Sequence, residues 1–284
     1  MMKRRTREKQ LQMQLESQPP RRRFLRLSLA ALGATVLSAC DRLTSNSTFV
    51  GALESAQNLS RAAQKLVTGR AAMAQEFTPA DIRASFRSNG TIMPNSEQYD
   101  ALLKNNFADW KLEVSGLVEK PMQFSLADLR KLPSRTQITR HDCVEGWSAI
   151  GKWKGVPLHH ILALVKPLPD TQYVVFRCAD PMDEDDDDDD SGQQPKKEVK
   201  DSTYYESVDL DDAYHPQTIL AYDLNDAALP VKNGAPLRVR IERQLGYKHA
   251  KYLMKIELVK DFDHIRGGKG GYWEDEGYEW YAGI

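Results

Sequence analysis

The chain has 284 residues, 41% hydrophobic and 28% charged, which is long and apolar enough for a sizeable soluble core. Its net charge of −1 hides an asymmetry: the first 39 residues hold nine of the 39 Lys/Arg and two of the 40 Asp/Glu, leaving 30 basic against 38 acidic residues. So acidic a remainder lacks the basic footprint that phosphate backbones demand, which argues against a nucleic-acid partner.

The basic start reads as an address. Arg21 and Arg22 precede Phe24-Leu25 and the apolar run Leu27–Ala39, a pattern similar to a twin-arginine export signal. That run is far shorter than the roughly twenty residues a membrane-spanning helix needs, so residues 1–39 are expected to be removed; an uncleaved anchor helix is the alternative. Leu37-Ser38-Ala39-Cys40 resembles a lipoprotein cleavage site, where Cys40 would become an acylated first residue and tether the chain to a membrane. Export by this route, which carries folded proteins, is a hint of a prosthetic group.

Residues 40–80 are expected to be an anchor and helical linker. Phe49, Leu53, Ala56, Leu59, Ala63, Leu66 and Val67 recur at three- and four-residue spacing, which predicts an amphipathic helix over 49–75. From residue 81 to 284 the pattern becomes that of a compact domain. A strand is predicted over 110–118, then a short helix over 124–133 with Ser125 and Asp128 at capping-box spacing and Pro133 as a stop. "TQITR" (136–140) alternates as a strand, 155–165 reads as a helix entered through Pro157, and 173–179 reads as a buried strand. Further strands are expected at 218–224, 235–242 and 251–259. Strands and helices mix without regular βαβ alternation, so the fold class is α+β with a mixed sheet. The segment 183–202 carries eight consecutive acidic residues, Asp183–Asp190, and is expected to be a disordered insert. A cation cage needs spaced oxygen ligands and a turn glycine, which a homogeneous run does not supply.

Beyond Cys40 there are two cysteines, Cys143 and Cys178. They can form a disulfide, pack as ordinary buried thiols, or, in the case of Cys143, serve as a thiolate ligand to a metal. The surroundings favour the last for Cys143: it follows a strand, Gly146 permits a tight turn, and Trp147 can wall off solvent. A lone thiolate is a poor protein-only metal site, so the remaining coordination has to come from elsewhere, and an organic cofactor that brings its own sulfurs would supply it. His141, two residues earlier, is a further candidate to face the site.

The stretch "RHDCVEGWSAIGKWKGVPL" (140–158) resembles the molybdenum-binding segment of the sulfite oxidase superfamily. The match is nearest its periplasmic, twin-arginine-exported branch of protein-methionine-sulfoxide reductase catalytic subunits. Cys143-Val144-Glu145 and Trp147-Ser148 carry that likeness, with Trp153, Gly155, Pro157 and Leu158 downstream. His215-Pro216 and Thr218 resemble the family's H-P-x-T stretch, and "LPVKNGAPLRVRIERQLGYKHAK" (229–251) its pterin- and phosphate-holding segment. The likeness covers about residues 84–284. It implies the sulfite oxidase fold, a molybdenum-molybdopterin cofactor and Cys143 as its only protein ligand. Cofactor contacts would fall on Asn233, Arg238, His249, Ala250 and Lys251, with His249 and Ala250 acting through backbone. The family's first pterin segment is only echoed in "SFRSNGT" (85–91), which puts Arg87 and Ser88 at binding positions. Cys178 stands where the family has a threonine near the cofactor.

In "LRVRI" Leu237, Val239 and Ile241 point one way and Arg238 and Arg240 the other, towards a phosphate or else onto a solvated sheet face. The implied activity is oxygen-atom transfer at sulfur, by reduction of sulfoxides including methionine sulfoxide in proteins. Sulfite oxidation is the rival, with Arg140 and Arg243 as candidates for an anion pocket. A non-catalytic, cation-binding lipoprotein acting through the acidic loop is the alternative of another class. No haem-attachment motif is present, so electrons have to be exchanged with another protein; the resemblance implies a membrane haem protein, or a soluble cytochrome if the reaction runs oxidatively. The chain is expected to be periplasmic and monomeric, with its Tyr- and Trp-rich tail folding back near the cofactor entrance.

Overall fold

The computed structural model describes Leu59, Gly69 and residues 72–83, 85–182 and 203–284. The export signal, Cys40, nearly all of the 49–75 helix and the acidic insert lie outside the described residues. The chain divides into two units, Met1–Val67 and Thr68–Ile284. Everything below concerns the second. Among the described residues no helix is long and apolar enough to cross a membrane.

Two five-stranded sheets form this unit. The first has β1 (Lys111–Gly116), β2 (Met122–Ser125), β5 (Tyr173–Pro181), β6 (Thr203–Asp209) and β10 (Leu253–Val259), in the order β2-β1-β10-β5-β6. Strands β1 and β10 run parallel and the other neighbours antiparallel, so this sheet is mixed. The second is antiparallel: β3 (Arg135–Cys143), β4 (Trp147–Pro157), β7 (Ile219–Leu224) and β8 (Ala227–Ala228) follow in order, and β9 (Arg238–Arg240) pairs with β7. Helices are few and short: α1 (Glu97–Lys104), α2 (Leu126–Lys131), α3 (Leu158–Val165), α4 (Leu210–Ala213) and α5 (Tyr272–Asp275). The α+β, mixed-sheet expectation holds.

Leu112 and Val114 of β1 and Ile256 and Leu258 of β10 share one core with Val156, Leu220, Val239 and the α3 residues Leu158, Ile161, Leu162 and Val165. Each such side chain contributes about 1.5–3 kcal/mol on burial. A second cluster joins Phe86, Trp153, Ile219, Ala221 and Leu224.

Local signals worked where the cause is local. Ser125 caps α2, its hydroxyl accepting from the Asp128 N–H while the Asp128 carboxylate accepts from the Ser125 N–H. Two predicted elements need correction. The helix expected over 155–165 begins at Leu158, because Gly155, Val156 and Pro157 complete the eleven-residue β4, which pairs with strands on both sides. Gly155 is a close-approach residue there: a Cβ would lie 2.1 Å from the Leu220 carbonyl oxygen. The strand expected over 235–242 is regular only at Arg238–Arg240.

Candidate active site

Strands β3 and β4 form a hairpin whose last pair is Cys143 opposite Trp147. A three-residue loop joins them, and Gly146 closes it at φ +80° with its N–H donating to the Cys143 carbonyl at 3.0 Å. That left-handed position suits glycine and sets the turn. The long hairpin thus holds the thiol at its tip. Trp147 donates its ring N–H to Glu145 at 2.8 Å, and the Arg87 guanidinium lies 4.8 Å from the Trp147 ring centre. Cys143 is a free, half-buried thiol whose pKa is pushed up by burial, with the Glu145 carboxylate adding to the effect.

The thiol opens into a cavity of about 260 Å³. Thr91, Glu145, Asp180, Tyr204, His249 and Lys251 line it, and Tyr247, Trp273 and Tyr278 add an aromatic wall. Residues far apart in sequence therefore meet here: the 89–91 segment, the hairpin tip, the end of β5, the start of β6, the 246–251 turn and the C-terminal stretch. The tail does fold back over the domain at this cavity.

Arg238 and Arg240 are both fully buried, so the solvated-face reading fails. They face away from the core that takes Val239, and their guanidinium groups lie 5.2 and 4.5 Å from the Trp153 ring centre. The two arginines differ in their partners. Arg240 grips Glu242 at 2.9 and 2.6 Å, and its Nη1 donates to the Nδ1 atoms of His141 and His249 at 2.9 and 2.8 Å. Those two Nδ1 atoms accept, so each ring carries its proton on Nε2. Burial, then neighbouring positive charge, holds both imidazoles well below their usual pKa. His141 packs behind His249 rather than lining the cavity.

Among the described residues Arg238 has no carboxylate partner. It donates to the carbonyls of Asn233 and His249 at 3.0 Å each and reaches the Asn89 side chain at 3.4 Å, while its Nε is buried without a partner. Lys251, buried alongside, donates only to carbonyls of Asn89 (2.7 Å), Lys232 (3.2 Å) and Thr91 and to the Ser88 hydroxyl. A Cβ on Gly234 would come within 2.9 Å of the Lys251 stem and 3.1 Å of the Arg238 stem, so glycine lets both pack there. Burial, then repulsion from Arg240, lowers Arg238 to about 9; Lys251 falls to about 7 through burial, then repulsion from Arg238. By contrast Lys248, equally buried, is held by Glu206 at 2.6 Å and by Glu274. Among the described residues these two buried cations have no ion-paired acid, and beside the unpartnered Asn233 amide nitrogen they are a donor set that a dianion such as a phosphate would satisfy. This donor set, next to one thiol, fits a cofactor that carries a phosphate and its own sulfurs.

Of the other expected contacts, Ala250 is buried but outside the cavity, and its N–H and carbonyl are spent on Lys248 (3.1 Å) and Val239 (2.8 Å). The His249 N–H is likewise bonded to Gly246 at 3.1 Å. Backbone contact through these two residues is thus not what the geometry presents. Cys178 is buried in the core, unlinked to Cys143 and not in the cavity wall; burial pushes its pKa well up. Arg87 is exposed and Ser88 donates to the Lys232 carbonyl, so they flank the cavity while Asn89, Gly90 and Thr91 line it. Arg140 is taken by Asp142 at 2.8 Å, and Arg243 pairs with Asp212, both away from the cavity wall. No local motif marks Asp180 or Tyr204, whereas Trp273 belongs to the Tyr- and Trp-rich tail expected at the cofactor entrance.

Residues 100–264 match the family model for the oxidoreductase molybdopterin binding domain. A protein from Azospira oryzae named as a protein-methionine-sulfoxide reductase subunit, YedZ1, is 34% identical over 93% of this chain and 88% of its own length. The protein-methionine-sulfoxide reductase catalytic subunit MsrP of Campylobacter jejuni is 34% identical over 55% of this chain and 51% of its own. Among solved structures, the sulfane dehydrogenase SoxCD from Paracoccus pantotrophus matches with a TM-score of 0.43 and 20% identity, over 54% of this chain and 38% of that one. The chain belongs to the molybdopterin-binding oxidoreductases and is an enzyme whose cofactor is molybdenum-molybdopterin.

Proposed function

We propose that the enzyme reduces sulfoxides, methionine sulfoxide among them, with Cys143 as the protein ligand to molybdenum. When bound, the cofactor supplies two-electron oxygen-atom exchange at the metal. The chain's own residues do the rest. The Cys143 hairpin fixes the thiolate, Arg238 and Lys251 neutralise the pterin phosphate, and the Asn233 amide donates to the cofactor. Trp153 supports Arg238 from behind, and the aromatic wall keeps water from the sulfur centre.

The charge of the cavity wall carries the choice of substrate. It contains two carboxylates, Glu145 and Asp180, and among the described residues one Lys or Arg side chain, Lys251, whose charge this reading gives to the cofactor phosphate. Sulfite is an anion and needs a dedicated cation. A neutral sulfoxide on a thioether side chain suits a wall of Tyr204, Tyr247, Trp273, Tyr278 and Met182. The names of both relatives support the same reaction. Turnover of a sulfoxide with a reduced dye, set against sulfite with an electron acceptor, tests it. Activity on sulfite alone would reject the reading.

Residues 1–39 direct export, the stretch from 40 to 67 tethers and spaces the body, and the catalytic domain begins before residue 81, because residues 72–77 bond to β3, His215 and Gln217. The site of action is the periplasm. Electrons come singly from a membrane haem protein; a soluble cytochrome is the partner if the reaction runs oxidatively.

A further inference from the structure

Behind the cavity wall lies a cluster that the cofactor contacts do not use. Glu206 on β6, Lys248 on the 246–248 turn and Glu274 on α5 have side chains 0–1% exposed. Lys248 bonds both carboxylates, at 2.6 Å to Glu206, so two acids share one base in a dry site. The two acids also approach each other. Both lie against Gly271, where a Cβ would sit 1.9 Å from Glu274 Oε2 and 2.9 Å from Glu206 Oε1. Glu274 Oε2 is buried and receives no hydrogen bond. With all three groups ionised, the cluster would bury a net negative charge and leave that oxygen without a donor. One proton between the carboxyls removes both faults.

Tyr204 connects this store to the cavity. Its hydroxyl is 3.4 Å from Glu206 Oε1 and donates to the Tyr247 carbonyl at 2.5 Å, and both tyrosines line the cavity. We propose that the Glu206–Glu274–Lys248 cluster holds a proton which Tyr204 passes to the substrate oxygen, making this cluster the proton supply of the enzyme. The proposal rests on the sulfoxide-reductase reading. That reaction consumes two protons and two electrons: the S–O bond breaks, the sulfur leaves as a thioether and the oxygen leaves as water. The electrons come from the one-electron donor by way of the bound cofactor. For each proton, Tyr204 gives its hydroxyl proton to the departing oxygen and takes another from Glu206. Bulk water then refills the carboxyl pair.

Burial, then the charge of Glu274, raises the Glu206 pKa well above the usual carboxylate range, against the opposing pull of Lys248. Tyr204 itself is held neutral by burial, and Glu206, Glu274, Cys178 and Asp180 all act to keep it so. These are the titratable groups that face the relay from β5, β6, the 246–248 turn and α5, with Tyr247 above. A purely structural staple, tying α5 to the core, would need the lysine and one acid. It would not need a second acid, or a hydroxyl reaching from the cluster to the cavity.

Stopped-flow reoxidation of the dye-reduced holoenzyme by a sulfoxide, followed against pH, tests the relay. The parent rate is expected to fall as pH rises through the raised carboxyl pKa. Tyr204→Phe should slow reoxidation by about 10²- to 10⁴-fold with reduction by the dye unchanged, a typical range for a lost proton-transfer group. Glu206→Gln should slow it similarly and flatten the pH profile. An infrared band of a protonated buried carboxyl, present at neutral pH in the parent and lost in Glu206→Gln, reads the store without any turnover. Parent rates and an unchanged pH profile in both variants overturn the relay and leave the reductase reading intact. So does absence of the infrared band, or a profile that moves only in Asp180→Asn, which would make Asp180 the direct donor. A parent that no sulfoxide reoxidises overturns the relay and the reductase reading together.

Discussion

Replacing Lys251 by Met tests whether this site is built for an anion. The stem is conserved and the charge removed. Lys251 is held at about 7 against an ordinary 10.5, which at about 1.36 kcal/mol per tenfold change in proton affinity is about 5 kcal/mol. The sign follows from proton counting. Below pH 7 the amine is protonated in both folded and unfolded chains, and the folded, cofactor-free protein bears the full penalty. Between pH 7 and 10.5 the folded chain has released the proton while the unfolded chain keeps it, so stability rises with pH. Over the accessible window from pH 7 to 9.5 the cofactor-free parent should gain about 3 kcal/mol relative to Lys251→Met. The comparison cancels titrations common to both proteins, and urea unfolding at several pH values reads it. In the holoenzyme a phosphate beside Lys251 keeps the amine protonated, so the gain should disappear, and Lys251→Met should hold cofactor poorly. Parallel stability curves for cofactor-free parent and variant would refute the reasoning.

Three further outcomes are expected. Cys143→Ser should lose more than about a hundredfold in sulfoxide reduction, beyond the loss typical of an outer-sphere change; metal and pterin analysis should show pterin partly retained through Arg238 and Lys251. Gly155→Ala should cost about 3 kcal/mol or more in urea unfolding, because its Cβ would sit 2.1 Å from the Leu220 carbonyl oxygen and β4 and β7 would have to separate. Glu242→Gln should cost about 3–5 kcal/mol, since it leaves the fully buried Arg240 without its counter-charge.

Sequence was most informative where cause and effect are neighbours. The Ser125–Asp128 capping box, the strand leading into Cys143 and the glycine closing its turn were all legible because each depends on a few adjacent residues. Strand β4 has no local mark: its last three residues fall in the helix expected over 155–165, and it contains Gly151 and Gly155. In the fold they are gaps that admit the Phe86 ring and the Leu220 carbonyl. Strand β6, beginning just after the acidic insert, was missed as well. Alternation in "LRVRI" separated the arginines from the core residues correctly, but whether their face is wet depends on Trp153, 85 positions away from Arg238. The cavity wall shows the same limit. Cys143, His249 and Lys251 lie in motifs, whereas Asp180, Tyr204 and Trp273 reach the cavity only through the pairing of β5 with β6 and the return of the tail.

The stretch from Arg238 to Lys251 shows how one piece of chain can serve both scaffold and site. It carries four buried cations, and composition alone would treat them alike. Arg240 and Lys248 meet carboxylates, from Glu242 two residues on and from the remote Glu206 and Glu274, so their charge is spent inside the protein. Arg238 and Lys251 meet carbonyls and amides, which satisfy hydrogen-bonding geometry but cannot cancel charge. A fold that keeps two such groups dry is less stable than one with apolar residues in their place, unless a ligand brings the missing negative charge. Uncompensated burial is thus the physical ground for proposing that Arg238 and Lys251 are kept for binding, whereas Arg240 and Lys248 belong to the pairs that hold the sheets together. That ground needs no motif, and the proposal falls on the two residues for which the family likeness implies phosphate contact.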